Sequence, residues 1–124
     1  MPARLRVQPP AEVAAARARI AEATAAGTTP ERADLRLLVK HYLAVLETRA
    51  PGRSVEVRVP PFAAVQVIEG VRHTRGTPPA VIETDAATWI ALATGELDWT
   101  AATDAGRVVA SGERTDLTPY LPLD

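Results

Sequence analysis

The hydrophobic period of this chain changes once, at Pro51-Gly52, and that change limits the fold more than any other feature. Before it, Leu35, Leu38, Val39, Tyr42, Leu43 and Leu46 recur at i, i+3, i+4, i+7, i+8 and i+11, the spacing of one continuous face of a helix. After it, Ser54-Val55-Glu56-Val57-Arg58-Val59 alternates strictly, which puts three valines on one side of a strand. A helical layer must therefore pack on a sheet, because each amphipathic face needs the other to cover it. With 124 residues there is material for one core, so a single domain over 1–124 is expected.

Local signals place the other elements. Residues 11–26 are rich in Ala, Arg and Glu and end at Gly27, which predicts a helix with a glycine cap. Its apolar stripe, Val13, Ala16, Ile20 and Ala23, is thin, so the helix should lie on the surface or against a second copy. Thr29-Pro30-Glu31 offers a hydroxyl cap, a first-turn proline and an acid facing the helix dipole, and predicts the start of the second helix. We accordingly divide the chain into a helical extension, 1–28, and a body, 29–124. Residues 62–69 read as a strand antiparallel to 54–59, and 80–84 as another, with a short strand possible at 71–74. Asp85 and Asp98 head two short helices that end at Gly95 and at Ala105-Gly106. Residues 107–111 form a last strand, and Asp116 caps a terminal turn. The expected fold class is α+β: a small mixed, mostly antiparallel sheet of about five strands, helices mainly on one face, and two N-terminal helices before it.

Composition removes several functions. The chain has no cysteine, so it has no disulfide framework, thiolate nucleophile, zinc ribbon or iron–sulfur cluster, and a reducing cytoplasm suits it. Net charge is −1, without the basic excess of a general nucleic-acid binder, and no apolar run approaches a membrane span, so neither nucleic acid nor integral membrane association is expected. Residues 1–53 hold nine basic and five acidic groups, and residues 54–124 hold five and ten, so the halves should attract. His41 and His73 stand in no metal-binding spacing, and no phosphate-binding glycine loop or Gly-x-Ser-x-Gly elbow occurs; no metal, cofactor or catalytic residue is assigned. His41 is read at the margin of its helix. Asp85 is read as a helix cap rather than as half of a carboxylate pair with Glu83.

A resemblance adds to this reading. Ala80-Val81-Ile82-Glu83-Thr84-Asp85, then Trp89-Ile90-Ala91-Leu92-Ala93-Thr94-Gly95-Glu96-Leu97-Asp98, then Gly106-Arg107-Val108-Val109-Ala110-Ser111-Gly112 and an apolar stretch at 117–121 follow the order of motifs in the sterol carrier protein family. Glu56-Val57-Arg58-Val59-Pro60-Pro61 and His73-Thr74-Arg75-Gly76-Thr77-Pro78-Pro79 are similar to stretches of its short bacterial, mostly actinobacterial members. The resemblance covers roughly 30–123. It implies a five-stranded mixed sheet with helices over one face, and an apolar tunnel between them for sterols, acyl chains or phospholipids. Shorter hairpins and a single phenyl ring, Phe62, imply a smaller tunnel here. A related domain resembles the C-terminal part of mycothiol-dependent maleylpyruvate isomerases, but this chain lacks their metal-binding bundle and is not expected to perform that reaction.

Two readings of the large apolar side chains stand side by side. Phe62, Val65, Val67, Trp89, Leu92, Leu97, Trp99, Leu117, Tyr120 and Leu121 either line a pocket for a small apolar or lipid-like ligand or fill a closed core. On the first reading, Arg72, His73 and Arg75 supply cations for a carboxylate or phosphate head group. On the second, the chain is an assembly module that acts as a homodimer or docks through its first helix.

Overall fold

The computed structural model describes residues 5–70, 80–112 and 115–124. Helix α1 (Pro10–Ala25) and helix α2 (Arg32–Arg49) come first, followed by strands β1 (Val55–Val59), β2 (Ala63–Val67) and β3 (Ala80–Thr84). Helices α3 (Ala86–Thr94) and α4 (Trp99–Asp104), strand β4 (Val108–Ser111) and a single 3-10 turn (Thr118–Tyr120) complete the order. The sheet runs β2-β1-β3-β4, antiparallel at both outer pairs and parallel between β1 and β3. Four strands stand among the described residues where about five were expected, and the short strand read at 71–74 lies outside them.

Strand β1 is central, and its alternation decides which face of the sheet is covered. Val55, Val57 and Val59 are buried; Val57 pairs with Val65 of β2 on one side and with Ile82 of β3 on the other. Glu56 and Arg58 point the opposite way and form an ion pair with each other. That second face carries Glu83 and Val109, both exposed. One solvated face is what an antiparallel-rich sheet with alternating strands allows.

Helix α2 packs on β2, shares the core with the valines, and is buried more widely than its expected apolar face. Leu38, Val39, Tyr42, Leu43 and Leu46 are all fully buried, and Asp34, His41 and Ala44 are buried with them. Helix α1, the segment ahead of it, α3 and the C-terminal segment all pack on α2, and α1 lays Val13 and Ala16 against it. Arg19 of α1 grips the Asp34 carboxylate through Nε at 3.0 and 3.1 Å and through its terminal nitrogen at 2.9 Å. The thin stripe of α1 therefore packs within its own chain. The helix ends as expected: Gly27, at φ +72°, lets its own N–H donate to the Thr24 carbonyl and the Thr28 N–H to the Ala23 carbonyl.

Two boundaries differ from the sequence reading. Helix α2 starts at Arg32, not at Pro30, because Glu31 stays extended and its carbonyl accepts the first helical bonds from Asp34 and Leu35. Strand β2 stops at Val67, not at 69. Ile68 turns to φ +66°, and its N–H leaves the sheet for the Ala50 carbonyl at 2.6 Å, while its carbonyl takes both the amide and the hydroxyl of Ser54. A β-branched residue in that region is strained, and these bonds hold it there. Elsewhere the boundaries agree closely: Asp85 accepts from the Thr88 amide and hydroxyl at the head of α3, and Gly95 ends it. Among the described residues no helix is long and apolar enough to cross a membrane.

Gly52 occupies the crossing between the α2–β1 turn and Ile68. It sits at φ +152°, and a Cβ there would run into the Ile68 carbonyl and the Glu69 nitrogen. Gly52→Ala should cost about 3 kcal/mol or more, as steric clash adds to backbone strain. Gly27, whose Cβ would meet open space, should lose only about 1 kcal/mol on the same change. Urea unfolding of the two variants checks the contrast; equal losses would show that the Gly52 crossing can relax.

Candidate functional site

The ten apolar side chains singled out from the sequence converge. Val65, Val67, Trp89, Leu92, Trp99 and Leu117 belong to one buried cluster, and Phe62, Leu97, Tyr120 and Leu121 pack against it while partly exposed. Trp89 is 1% exposed, and its indole N–H donates to the Val39 carbonyl at 3.3 Å, so its polar atom is satisfied inside the core. Arg72, His73 and Arg75 lie outside the described residues.

Two of the ten reach a groove. Along the β2 edge, between that strand and α2, lies a cleft of about 700 Å³ into which Phe62 and Val65 face. Leu5, Lys40, Glu47 and Arg53 line its walls with them. The Phe62 ring is also covered by the Arg32 guanidinium, 5.1 Å from its centroid. A lining of charged and apolar side chains together suits an amphipathic molecule better than a wholly apolar one. Sequence reasoning did not find Lys40, Glu47 or Leu5. The spacing of Lys40 and Glu47, two helical turns apart on one side of α2, was a usable signal; nothing local announced Leu5.

A second, smaller cleft of about 370 Å³ lies between α1 and α3, with Ile20, Leu38 and Ile90 in its walls. None of the ten residues lines it. Among the described residues no three His, Asp or Glu stand together as a metal-binding set.

The C-terminal segment closes the helical layer by a polar clamp. The Tyr42 hydroxyl donates to one Asp124 carboxylate oxygen at 2.8 Å, and Arg17 of α1 binds the other at 2.6 Å. Arg49 donates to the carbonyls of Pro122 and Leu123, and the Leu123 amide donates to the Ala93 carbonyl of α3. Arg17–Asp124 thus joins the basic half to the acidic one, in the sense expected from the charge asymmetry. Burial, with the Asp124 carboxylate beside it, pushes the Tyr42 hydroxyl up to about 12.

The family model described as bacterial SCP ortholog matches residues 31–123, three quarters of the chain. The chain belongs to this sterol-carrier-like family. The match runs from the N-cap of α2 to the clamped C-terminal segment, so it takes in the sheet, the buried cluster and the β2 side of the edge groove. Helix α1 and Leu5 precede the matched residues. No curated protein matches the chain.

The clamp sets a pH dependence. A tyrosine raised above its unfolded value near 10 contributes stability that is complete below about pH 10 and is lost as pH rises through about 12. Alkaline absorbance titration should therefore show one phenol ionising near 12, and Tyr42→Phe should remove that phase and lower stability by about 1 kcal/mol. Ionisation of all tyrosine near 10 in the folded protein would contradict the Tyr42–Asp124 hydrogen bond.

Proposed function

We propose that the protein is a non-enzymatic, cytoplasmic carrier that holds a small apolar or amphipathic molecule of lipid or acyl type. The observation that carries this reading is membership of the sterol-carrier-like family over residues 31–123. Support comes from the edge groove, whose apolar side chains Phe62 and Val65 continue into the cluster of Trp89, Leu92 and Leu117. The apolar part of the ligand lies along Phe62 and Val65, with Val67, Leu97, Trp99, Tyr120 and Leu121 completing the cluster behind them. The head-group cations are Arg72, His73 and Arg75. Residues 29–124 are the holding body, residues 1–28 extend it within one domain, and no cofactor takes part.

Cis-parinaric acid is a suitable probe, because its fluorescence rises on transfer from water to an apolar site. Saturable binding is expected, and Phe62→Ala should weaken it about tenfold, or ~1.4 kcal/mol. Phe62 is partly exposed, so this variant keeps the fold better than truncation of the buried Trp89 would. Native mass spectrometry of the freshly purified protein gives the second readout: an adduct of lipid mass supports the carrier. A clean apo dimer together with no probe binding would overturn it.

A further inference from the structure

Residues 5–9, ahead of α1, are largely exposed. Val7 is 54% exposed, and Arg6 and Pro9 are exposed. Leu5 packs partly buried at the wall of the edge groove. Among the described residues, the segment's tertiary hydrogen bond runs from the Gln8 backbone N–H to His41 Nδ1, at 2.9 Å. His41 is only 8% exposed. An Nδ1 that accepts a hydrogen bond carries no proton, so the ring here is neutral with its proton on Nε2. Adding a proton to Nδ1 would turn the acceptor into a donor facing another donor.

We propose that His41 is a protonation-controlled latch: its neutral Nδ1 holds residues 5–9 against α2, and protonation of that nitrogen releases them and withdraws Leu5 from the groove wall.

The groups around the ring set where this happens. From its own helix it meets the edge of Tyr42, ring centroids 4.8 Å apart, while Leu37, Leu38, Ala44 and Val45, one turn away, carry no charge. The N-terminal segment offers the Gln8 amide and the exposed Arg6. The C-terminal segment offers Asp124, whose carboxylate is already engaged by Tyr42 and by Arg17 of α1. Lys40, the adjacent cation on α2, lines the groove. Burial lowers the ring's proton affinity below the ordinary histidine value, and Asp124 opposes that less strongly. The latch is therefore closed at neutral pH and opens as pH falls below the usual histidine range near 6.5.

Release need not detach α1. Val13 and Ala16 remain buried on α2, and the Arg19–Asp34 and Arg17–Asp124 pairs do not involve His41. The inference does not depend on the carrier reading, since it concerns the groove wall and not its occupant.

The test is NMR on the full chain between pH 7.5 and 5.0. It follows the His41 ring nitrogens, the Gln8 amide protection factor and solvent relaxation at the Leu5 methyls. Gln8 protection should fall about fivefold or more, as expected for loss of one hydrogen bond, with the same midpoint as the His41 titration. Leu5 should gain solvent exposure in step, while the Leu43 amide in the buried part of α2 stays protected. His41→Asn, which can present an oxygen where Nδ1 stood and does not titrate, should keep Gln8 protected throughout. Gln8 protection that ignores the His41 titration, an unmoved Leu5, or loss of Leu43 protection in step with Gln8 would each overturn the latch. So would the same pH response in a folded His41→Asn. If that variant does not fold, the coincidence of midpoints in the unaltered chain decides the matter.

Discussion

One core shared by the apolar face of α2 and the three valines of β1 organises the molecule. Leu38, Tyr42, Leu43 and Leu46 leave water completely, and each leucine side chain so buried is worth about 2 kcal/mol. Because the valines occupy alternate positions on the central strand, a shift of one residue in its register would replace them with Glu56 and Arg58. The register of β2 and β3 follows from β1, and the solvated face follows from the register. The sides of α2 turned from the sheet are then free to take α1, α3 and the C-terminal segment, which is why α2 is buried almost all round.

Much of this was legible in the sequence, and the parts that were not share a cause. Strict alternation over 54–59 and the 3.6-residue repeat over 35–46 are local patterns, and each produced the element it announced. The caps at Asp85 and Gly27 are also local and were read correctly. The start of α2 was misread by two residues, since Thr29-Pro30-Glu31 satisfies the rules for a helix start but Glu31 remains extended. His41 was placed at the margin of its helix because its own helix shows only one apolar face. Its burial depends on the N-terminal segment, which lies 33 residues away.

The candidate site divides in the same way. The apolar residues are identified from their type, and the fold gathers six of the ten into one buried cluster with the other four packed against it. The groove at the sheet edge was not visible, because it sets Leu5 with β2 and brings Lys40 and Glu47 to its walls from a third element. No pattern within one segment encodes that juxtaposition. Its floor lies in the part shared with the sterol-carrier-like family, and one of its walls lies outside it.

The clamp at Asp124 joins residues separated by 107 positions in the chain at Arg17 and by 82 at Tyr42. A contact of that span closes a long loop, and such closures form late and slowly compared with helical ones. During synthesis α1 and α2 can emerge and pair long before Asp124 has been made. The helical layer therefore passes through an interval in which Leu123 has not arrived to cover its site beside Ala93. The surface that later receives Leu123 and Asp124 stays open until both have been made.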